Sequence, residues 1–506
     1  MRARWAGRAL PRMMPTTSPP EWDDVQGLVV YGYKAMEVAT FLVLKIEDAA
    51  QARAWLGELL EGDLTTAARI PREERERRHA CLNLAFTSQG LRALGLDEGS
   101  LRTFPYEFRK GMAERAHVLG DLGPSAPEHW DFGGGNPEGP LLEEVHVLLM
   151  LYGSTPLVLQ GELARQRERL ARRRLRELYC QPAHQLREEH NGHTYFREHF
   201  GFRDAISQPD VEGFRQVDGG SPSGDKPIAT GEFLLGHDNE YGECPLSPSV
   251  PGKQDRRGRL DNAREPGRKD LGRHGTYLVL RKLEQDVAGF QTFLEEKRTL
   301  AEGLLPTREK QEEWLKAKLL GRWPNGEPLR PGELESPPSR PNGPDNTFGY
   351  AREDPSGLGC PVTAHVRRAN PRDSLAPDPR MSAKMSRRHR ILRRGITYDA
   401  EPRSEGGMKK PGLLFIALNT DLGRQFEFIQ QSWLNSEKMG RMYDERDVFS
   451  SCQEDGVMTL PMKPLRRCVK GLQHFVTLKG GGYFFLPGVK ALEFLADLEA
   501  ERGVSH

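Results

Sequence analysis

Apolar positions along the chain gather into short, bounded runs. GLVVYGY (27–33), FLVLKI (41–46), CLNLAF (81–86) and VHVLLMLYG (145–153) are too continuous for one face of an amphipathic helix, and each predicts a strand. Between them the period lengthens. Asp48 stands ahead of Ala52, Trp55, Leu56 and Leu59 at helical spacing, which predicts a capped helix. Leucines at 163, 170, 175 and 178 in GELARQRERLARRRLREL predict a charged helix with a narrow apolar line.

The second half repeats this alternation. GTYLVLRKL (275–283) reads as a strand, and a helix follows with Val287, Phe290, Phe293 and Leu294 on one side. GLLFIALNT (412–420) is another strand, followed by a helix with Leu422, Phe426, Ile429 and Trp433 as its buried stripe. HFVTLKGGGYFFLPG (474–488) predicts a hairpin-like strand pair, and VKALEFLADLEAE a closing helix. Mixed strands and helices in two halves predict an α+β fold of two ferredoxin-like modules, with antiparallel sheets and long connecting loops. The expected divisions are a flexible leader over 1–20, an N-terminal module over 21–235 and a C-terminal module over 236–506. Pro/Gly-rich stretches at 217–228, 241–272 and 322–346 are long connections of the kind that carry function.

Composition mostly excludes. Lys+Arg is 73 against 72 Asp+Glu, which removes the basic field that nucleic acid or an anionic membrane surface requires. The cysteines are scattered (81, 180, 244, 360, 452 and 468) with no CxxC, against a zinc ribbon or a disulfide framework and in keeping with a reducing compartment. The start MRARWAGRALPRMMPTTSPPEW lacks the apolar run of a signal peptide, and no stretch reaches the length of a membrane-spanning helix. The expectation is a cytoplasmic protein with no nucleic-acid partner and no membrane partner.

Three clusters could carry chemistry. In GLGCPVTAHVRRANPRD (357–373), His365 follows small and apolar residues, and Arg367, Arg368 and Arg372 come close behind. An imidazole on a strand beside guanidiniums suits a metal centre that bears carboxylates. Haem meets that description, with iron for the imidazole and propionates for the arginines. A packed core histidine beside surface arginines is the alternative. In RRHRILRRGITYD (387–399), alternation around Ile391 and Leu392 turns one of Arg390, Arg393 or Arg394 inward, where it needs an anionic partner or a reaction that creates negative charge. In FGFRDAISQPD (200–210), Asp204 sits in a tight turn, where aspartates commonly bond backbone amides. A rival metal site, His184, His190, His193 and His199 with Glu188 and Glu189, does not match the HExxH spacing of zinc hydrolases. GGSPSGDK (219–226) lacks the ending of a phosphate loop.

Together these segments resemble the dye-decolourising peroxidase family, haem enzymes that use hydrogen peroxide, and its longer bacterial members in particular. The resemblance runs in order from about residue 25 to about residue 490, through LNLAFTSQGLRALGL, FGFRDAISQPDVEG, EFLLGHDNEYG, FGYAREDPSGLGCPVTAHVRRANPRD, HRILRRGITY and GGGYFFLPG. It implies paired ferredoxin-like modules holding haem b (iron protoporphyrin IX). The implied partners are hydrogen peroxide and small aromatic electron donors, dye-like or phenolic, oxidised through a ferryl intermediate; a homo-oligomer is left open.

By the same resemblance His365 is the proximal iron ligand, Asp204 the distal acid–base group and Arg393 the distal arginine. Arg372 and Arg368 hold the haem propionates. The proximal imidazole needs an acid on its other nitrogen, for which Glu427 on the neighbouring helix is the candidate. Tyr350, Tyr398, Trp433 and Tyr483 are aromatics close in sequence to the implied haem segments. GFRDA departs from the family's GxxDG, with Ala205 in place of the last glycine, and Gly395 stands where some relatives carry an asparagine. If position 205 needs a positive φ, alanine costs about 1–2 kcal/mol and can rotate Asp204. That departure keeps a second reading in view: a protein for haem capture, sensing or iron handling with little peroxidase turnover.

Overall fold

The computed structural model describes residues 19–498 apart from 69–78, 191–192, 215–225, 341–342, 402–407 and 452–454. The expected leader lies outside the described residues except for its last two positions. Three of the four N-terminal apolar runs form strands: β1 (Val38–Ile46), β2 (Ala80–Phe86) and β3 (Val147–Gly153). They are buried almost throughout, because both faces of the sheet are covered, and this is why their sequences do not alternate. Next come β4 (Leu175–His184), a hairpin of β5 (Leu186–His190) with β6 (His193–Arg197), and a second hairpin of β7 (Ser249–Pro251) with β8 (Arg268–Asp270). The second half supplies β9 (Thr276–Gln285), β10 (Leu392–Arg393), β11 (Ile396–Tyr398), β12 (Gly412–Asn419), β13 (Gly456–Leu460), β14 (Arg467–Leu472) and β15 (Val476–Leu486).

Nine strands join in the order β10-β12-β11-β4-β1-β3-β2-β15-β9, and β9 also pairs with β12, so the sheet closes into a barrel. The runs β4-β1-β3-β2 and β11-β12-β9-β15 are antiparallel quartets of ferredoxin-like order. The fold is α+β and ferredoxin-like, as expected. The quartets meet at Thr397 opposite His184 and at Phe485 opposite Phe86. Closure covers edges that would otherwise offer unpaired backbone groups.

Helices pack outside the barrel. Asp48 caps the Ala49–Leu60 helix, accepting from the Ala50 and Gln51 amides at 3.0 and 3.1 Å, and Ala52, Trp55, Leu56 and Leu59 are buried in the core. Leu422, which precedes a wide π-type turn over Gly423–Glu427, is likewise buried, as are Phe426 on that turn and Ile429 and Trp433 on a second one over Ile429–Leu434.

Several local expectations fail for tertiary reasons. Residues 27–33 do not form a strand; Gly27–Val30 is a helical turn. The buried Gln26 side chain donates to the Leu84 carbonyl and accepts from the Leu84 amide, so it takes the place of a neighbouring strand. The charged helix spans Pro156–Arg172 and stops there, since Arg174 adopts φ 54°; Leu175 and Leu178 belong to β4. The expected hairpin over 474–488 is one strand, β15, with a register shift between Leu478 and Gly480. Its glycines serve close approach: a side chain at Gly481 would meet the Leu280 carbonyl oxygen at 2.4 Å.

Candidate active site

Barrel strands β9, β12 and β15 form one wall of a cavity of about 320 Å³. The turn over 198–207 and the segments around 120–125, 320–322, 348–350, 365–372, 389–393 and 426–451 supply the remainder. His365, Asp204, Arg372 and Arg393 all line it, so the structure brings these four sequence-predicted residues together.

His365 begins the short helix His365–Ala369; it is not on a strand as expected. Its Nδ1 lies 2.9 Å from Asp447 Oδ2, and its side chain keeps 28% exposure within the cavity wall. Asp447 has no exposed side-chain surface; its Oδ1 accepts from the Phe449 and Ser450 amides at 3.0 and 2.6 Å. Burial works to raise the Asp447 pKa, but His365, the Ser450 amide and Arg368 outweigh it and hold the carboxyl below the usual range. Glu427, the acid expected beside His365, instead pairs with Arg115 at 2.5 Å and accepts from the Tyr483 hydroxyl at 2.9 Å. The partner is Asp447, 82 positions beyond the histidine.

Asp204 sits in a turn fixed by its own amide, which donates to the Phe196 carbonyl at 2.8 Å. Ala205 has φ 58° and Ser207 φ 60°, left-handed conformations that side chains disfavour. Three arginines brace this turn. Arg393 Nη2 donates to the Ile206 carbonyl at 2.6 Å, Arg390 Nη2 to the Ser207 carbonyl at 3.2 Å, and Arg372 Nη2 lies 3.5 Å from Ser207 Oγ. Arg372 also donates to the Asn346 and Phe348 carbonyls and stacks 4.0 Å over the Phe348 ring.

Arg368 is not at the cavity. It is fully buried and donates to the backbone carbonyls of Trp433, Glu445 and Ser436, so the expectation that it holds a propionate is corrected. Its donors are spent on the end of the Ile429–Leu434 turn and on the segment that leads from it to Asp447. The described members of the histidine cluster engage other partners. His199 Nε2 is 2.9 Å from the Tyr398 carbonyl, Glu188 pairs with Arg197, and the side chains of His190 and His193 lie outside the described residues. Among the described residues there is no group of three or more ligating side chains that could hold a metal ion.

Sequence reading missed several cavity residues. Glu198 and the buried pair Asp121–Arg281, 2.5 Å apart, line the cavity with no motif to announce them. His389 lines it too, stacked 4.1 Å from Phe428. Guanidiniums outnumber carboxyls there: Arg203, Arg281, Arg322, Arg372, Arg390 and Arg393 against Asp121, Glu198 and Asp204. Burial lowers the Arg322 pKa to about 10. The rest of the wall is largely apolar, including Leu413, Phe415, Leu434 and Phe449.

Comparison with known proteins agrees with this architecture. Residues 24–172 match the family described as the DyP dimeric alpha+beta barrel domain. The chain is 28% identical to dye-decolorizing peroxidase msp1 of Mycetinis scorodonius, over 93% of this chain and 86% of that protein. It is 29% identical to the multifunctional dye peroxidase DyP2 of an Amycolatopsis species, over 90% and 92% respectively. The structure of an ancestral D-type dye decolorizing peroxidase superposes with a TM-score of 0.73 at 27% identity, covering 94% of this chain and 99% of that one. The chain is thus similar to dye-decolourising peroxidases over nearly all of its length, and residues 24–172 match the barrel domain of that family.

Proposed function

We propose that this protein is a haem peroxidase that reduces hydrogen peroxide and oxidises small aromatic donors, dye-like or phenolic. The carrying observation is the His365–Asp447 pair in a cavity that also holds Asp204 and Arg393. The residues present fit haem. An imidazole with Nδ1 engaged leaves Nε2 for iron, the apolar wall suits a porphyrin, and the surplus of guanidiniums suits its propionates. His365 would hold the iron and Arg372 a propionate. When bound, haem supplies the electrons that reduce peroxide and recovers them from donors one at a time.

The chain's own groups handle protons and charge. Asp204 takes the proton from incoming peroxide and returns it to the departing oxygen, which requires its carboxylate form at the outset. Arg393, anchored at the Ile206 carbonyl, offsets negative charge as it develops on that oxygen. Asp447 fixes the His365 tautomer and raises the basicity of its free nitrogen. The apolar wall excludes water and strengthens each of these interactions.

The test is an absorption spectrum of the protein titrated with haem, followed by rapid mixing with hydrogen peroxide. A Soret band that changes quickly on mixing supports the reading, and failure to develop a Soret band overturns it. A second reading, haem capture or sensing with little turnover, is favoured by the positive φ of Ala205 beside Asp204. A Soret band that ignores peroxide would select it.

A further inference from the structure

Arg203, Arg322 and Arg372 all line the cavity, and they are not equally engaged. The segments around Gly326 and Asn346 link them. Arg322 donates to the Gly326 carbonyl at 2.7 Å, to the Asp345 carbonyl at 3.1 Å and to Asn346 Oδ1 at 2.6 Å. Arg372 donates to the carbonyl of the same Asn346 at 2.8 Å and to that of Phe348 at 3.0 Å. The stem of Arg203 lies against Gly326, where a side chain would come within 3.2 Å of the arginine Cδ.

Arg203 differs from its neighbours in what its donors meet. Its Nη1 is buried with no hydrogen-bond partner, and among the described residues its side chain forms no hydrogen bond and no ion pair. The residue is nevertheless held in place. Its amide donates to the Pro324 carbonyl at 3.0 Å, and its guanidinium stacks 4.2 Å over the Tyr195 ring. Two acids of the region are committed to other arginines. Glu327 lies 3.6 Å from Arg340 and accepts from the Arg340 and Asp345 amides, while Glu188 pairs with Arg197. An arginine keeps its charge in a protein, so a buried guanidinium donor without a partner costs free energy. A carboxylate at this place would meet that cost.

We propose that Arg203 is a second carboxylate-binding residue of the cavity and takes the haem propionate that Arg372 leaves. The proposal rests on the reading of the cavity as a haem site. Both propionates leave one edge of the porphyrin, so their partners must share one side of the cavity, as Arg203 and Arg372 do through the segments around Gly326 and Asn346. Asp204 follows Arg203 directly, so the same contact ties the Asp204 turn to the bound group. An anionic aromatic donor offers the same chemistry as a propionate, and the test separates the two sources.

The experiment titrates full-length, haem-free wild type, Arg203→Leu and Arg203→Gln with haemin and with haemin dimethyl ester, in which both carboxylates are masked. Binding is read from the Soret band and from quenching of tryptophan fluorescence. Arg203→Leu is expected to bind haemin about 10–100-fold more weakly than wild type, and to bind the dimethyl ester as wild type does. Arg203→Gln keeps a polar side chain without the charge; it should show the same pattern, and it carries the test if Arg203→Leu does not fold. The second readout is thermal unfolding without haem. Removing an unpaired buried charge should hold or raise that midpoint, whereas loss of a merely structural arginine would lower it. Equal haemin affinity in wild type and folded variants overturns the proposal, as does an equal loss for haemin and its ester. A loss confined to the KM of a sulfonated aromatic donor, with haemin affinity intact, also overturns it and assigns Arg203 to the donor. A wild type that develops no Soret band overturns the haem reading itself.

Discussion

His365 Nδ1 and Asp447 Oδ2 are 2.9 Å apart, although the residues are 82 positions apart in the chain. The contact joins a short helix to a buried loop, and it leaves only one imidazole nitrogen to face the cavity. Arg368 secures the arrangement from behind by bonding three carbonyls on the Asp447 side.

Removing the imidazole should abolish iron ligation. His365→Ala is expected to lose the spectrum of a histidine-ligated haem while remaining folded, because the side chain is already part-exposed to the cavity. An unaltered histidine-type spectrum in this variant would falsify the assignment.

Asp447 links the site to stability and pH. Its folded pKa lies below the ordinary carboxylate value, so its contribution to stability is complete above about pH 4 and is lost as pH falls through the folded value. Asp447→Asn should unfold more easily at pH 7 by about 1–3 kcal/mol. The gap from wild type should close on acidification towards pH 2. Denaturant midpoints measured at several pH values check both the size and the sign.

The distal pair should act on rate, not on haem retention. Asp204→Asn is expected to slow reaction with peroxide by about 10²–10⁴-fold. Arg393→Leu should cost about 10²–10³-fold. Stopped-flow traces on haem-loaded variants measure this, and wild-type rates in both would remove the pair from the mechanism.

Ala205 is strained where it stands. With φ 58°, replacement by glycine should relieve about 1 kcal/mol and raise the thermal midpoint. If the methyl group also rotates Asp204, Ala205→Gly will react faster with peroxide. A lower midpoint would show that the turn does not carry this strain.

Arg372 and Arg368 should separate cleanly. Arg372→Leu is expected to weaken haem binding by roughly 10–100-fold, the loss of one charge-assisted pair. Arg368→Leu leaves three buried carbonyls unmet and should cost about 2–4 kcal/mol of fold stability. Haem titration and denaturant unfolding of the two variants, side by side, distinguish the roles.

Much of the barrel was legible because local sequence and global burial agree. FLVLKI, CLNLAF, GTYLVLRKL and GLLFIALNT are strands in isolation and in the fold, and Asp48 caps the helix it precedes. Legibility ended where a distant group took over a local role. Gln26 replaced a strand partner at Leu84, Arg174 broke a helix that its leucines would have extended, and the glycines of β15 made room for a neighbouring backbone where a turn was expected.

The sequence by itself determined the residue types of the site: an imidazole followed by arginines, an acid in a glycine-led turn, and a second arginine run. Their chemistry is local, so it survives in a linear reading. Only tertiary structure decided which acid meets His365, which arginines reach the cavity, that Glu198 shares the Asp204 turn, and that the two quartets close into one barrel. Those outcomes depend on burial and on side-chain direction between segments far apart in the chain. Burial sets the energy of every charge involved, and no spacing along the sequence encodes it.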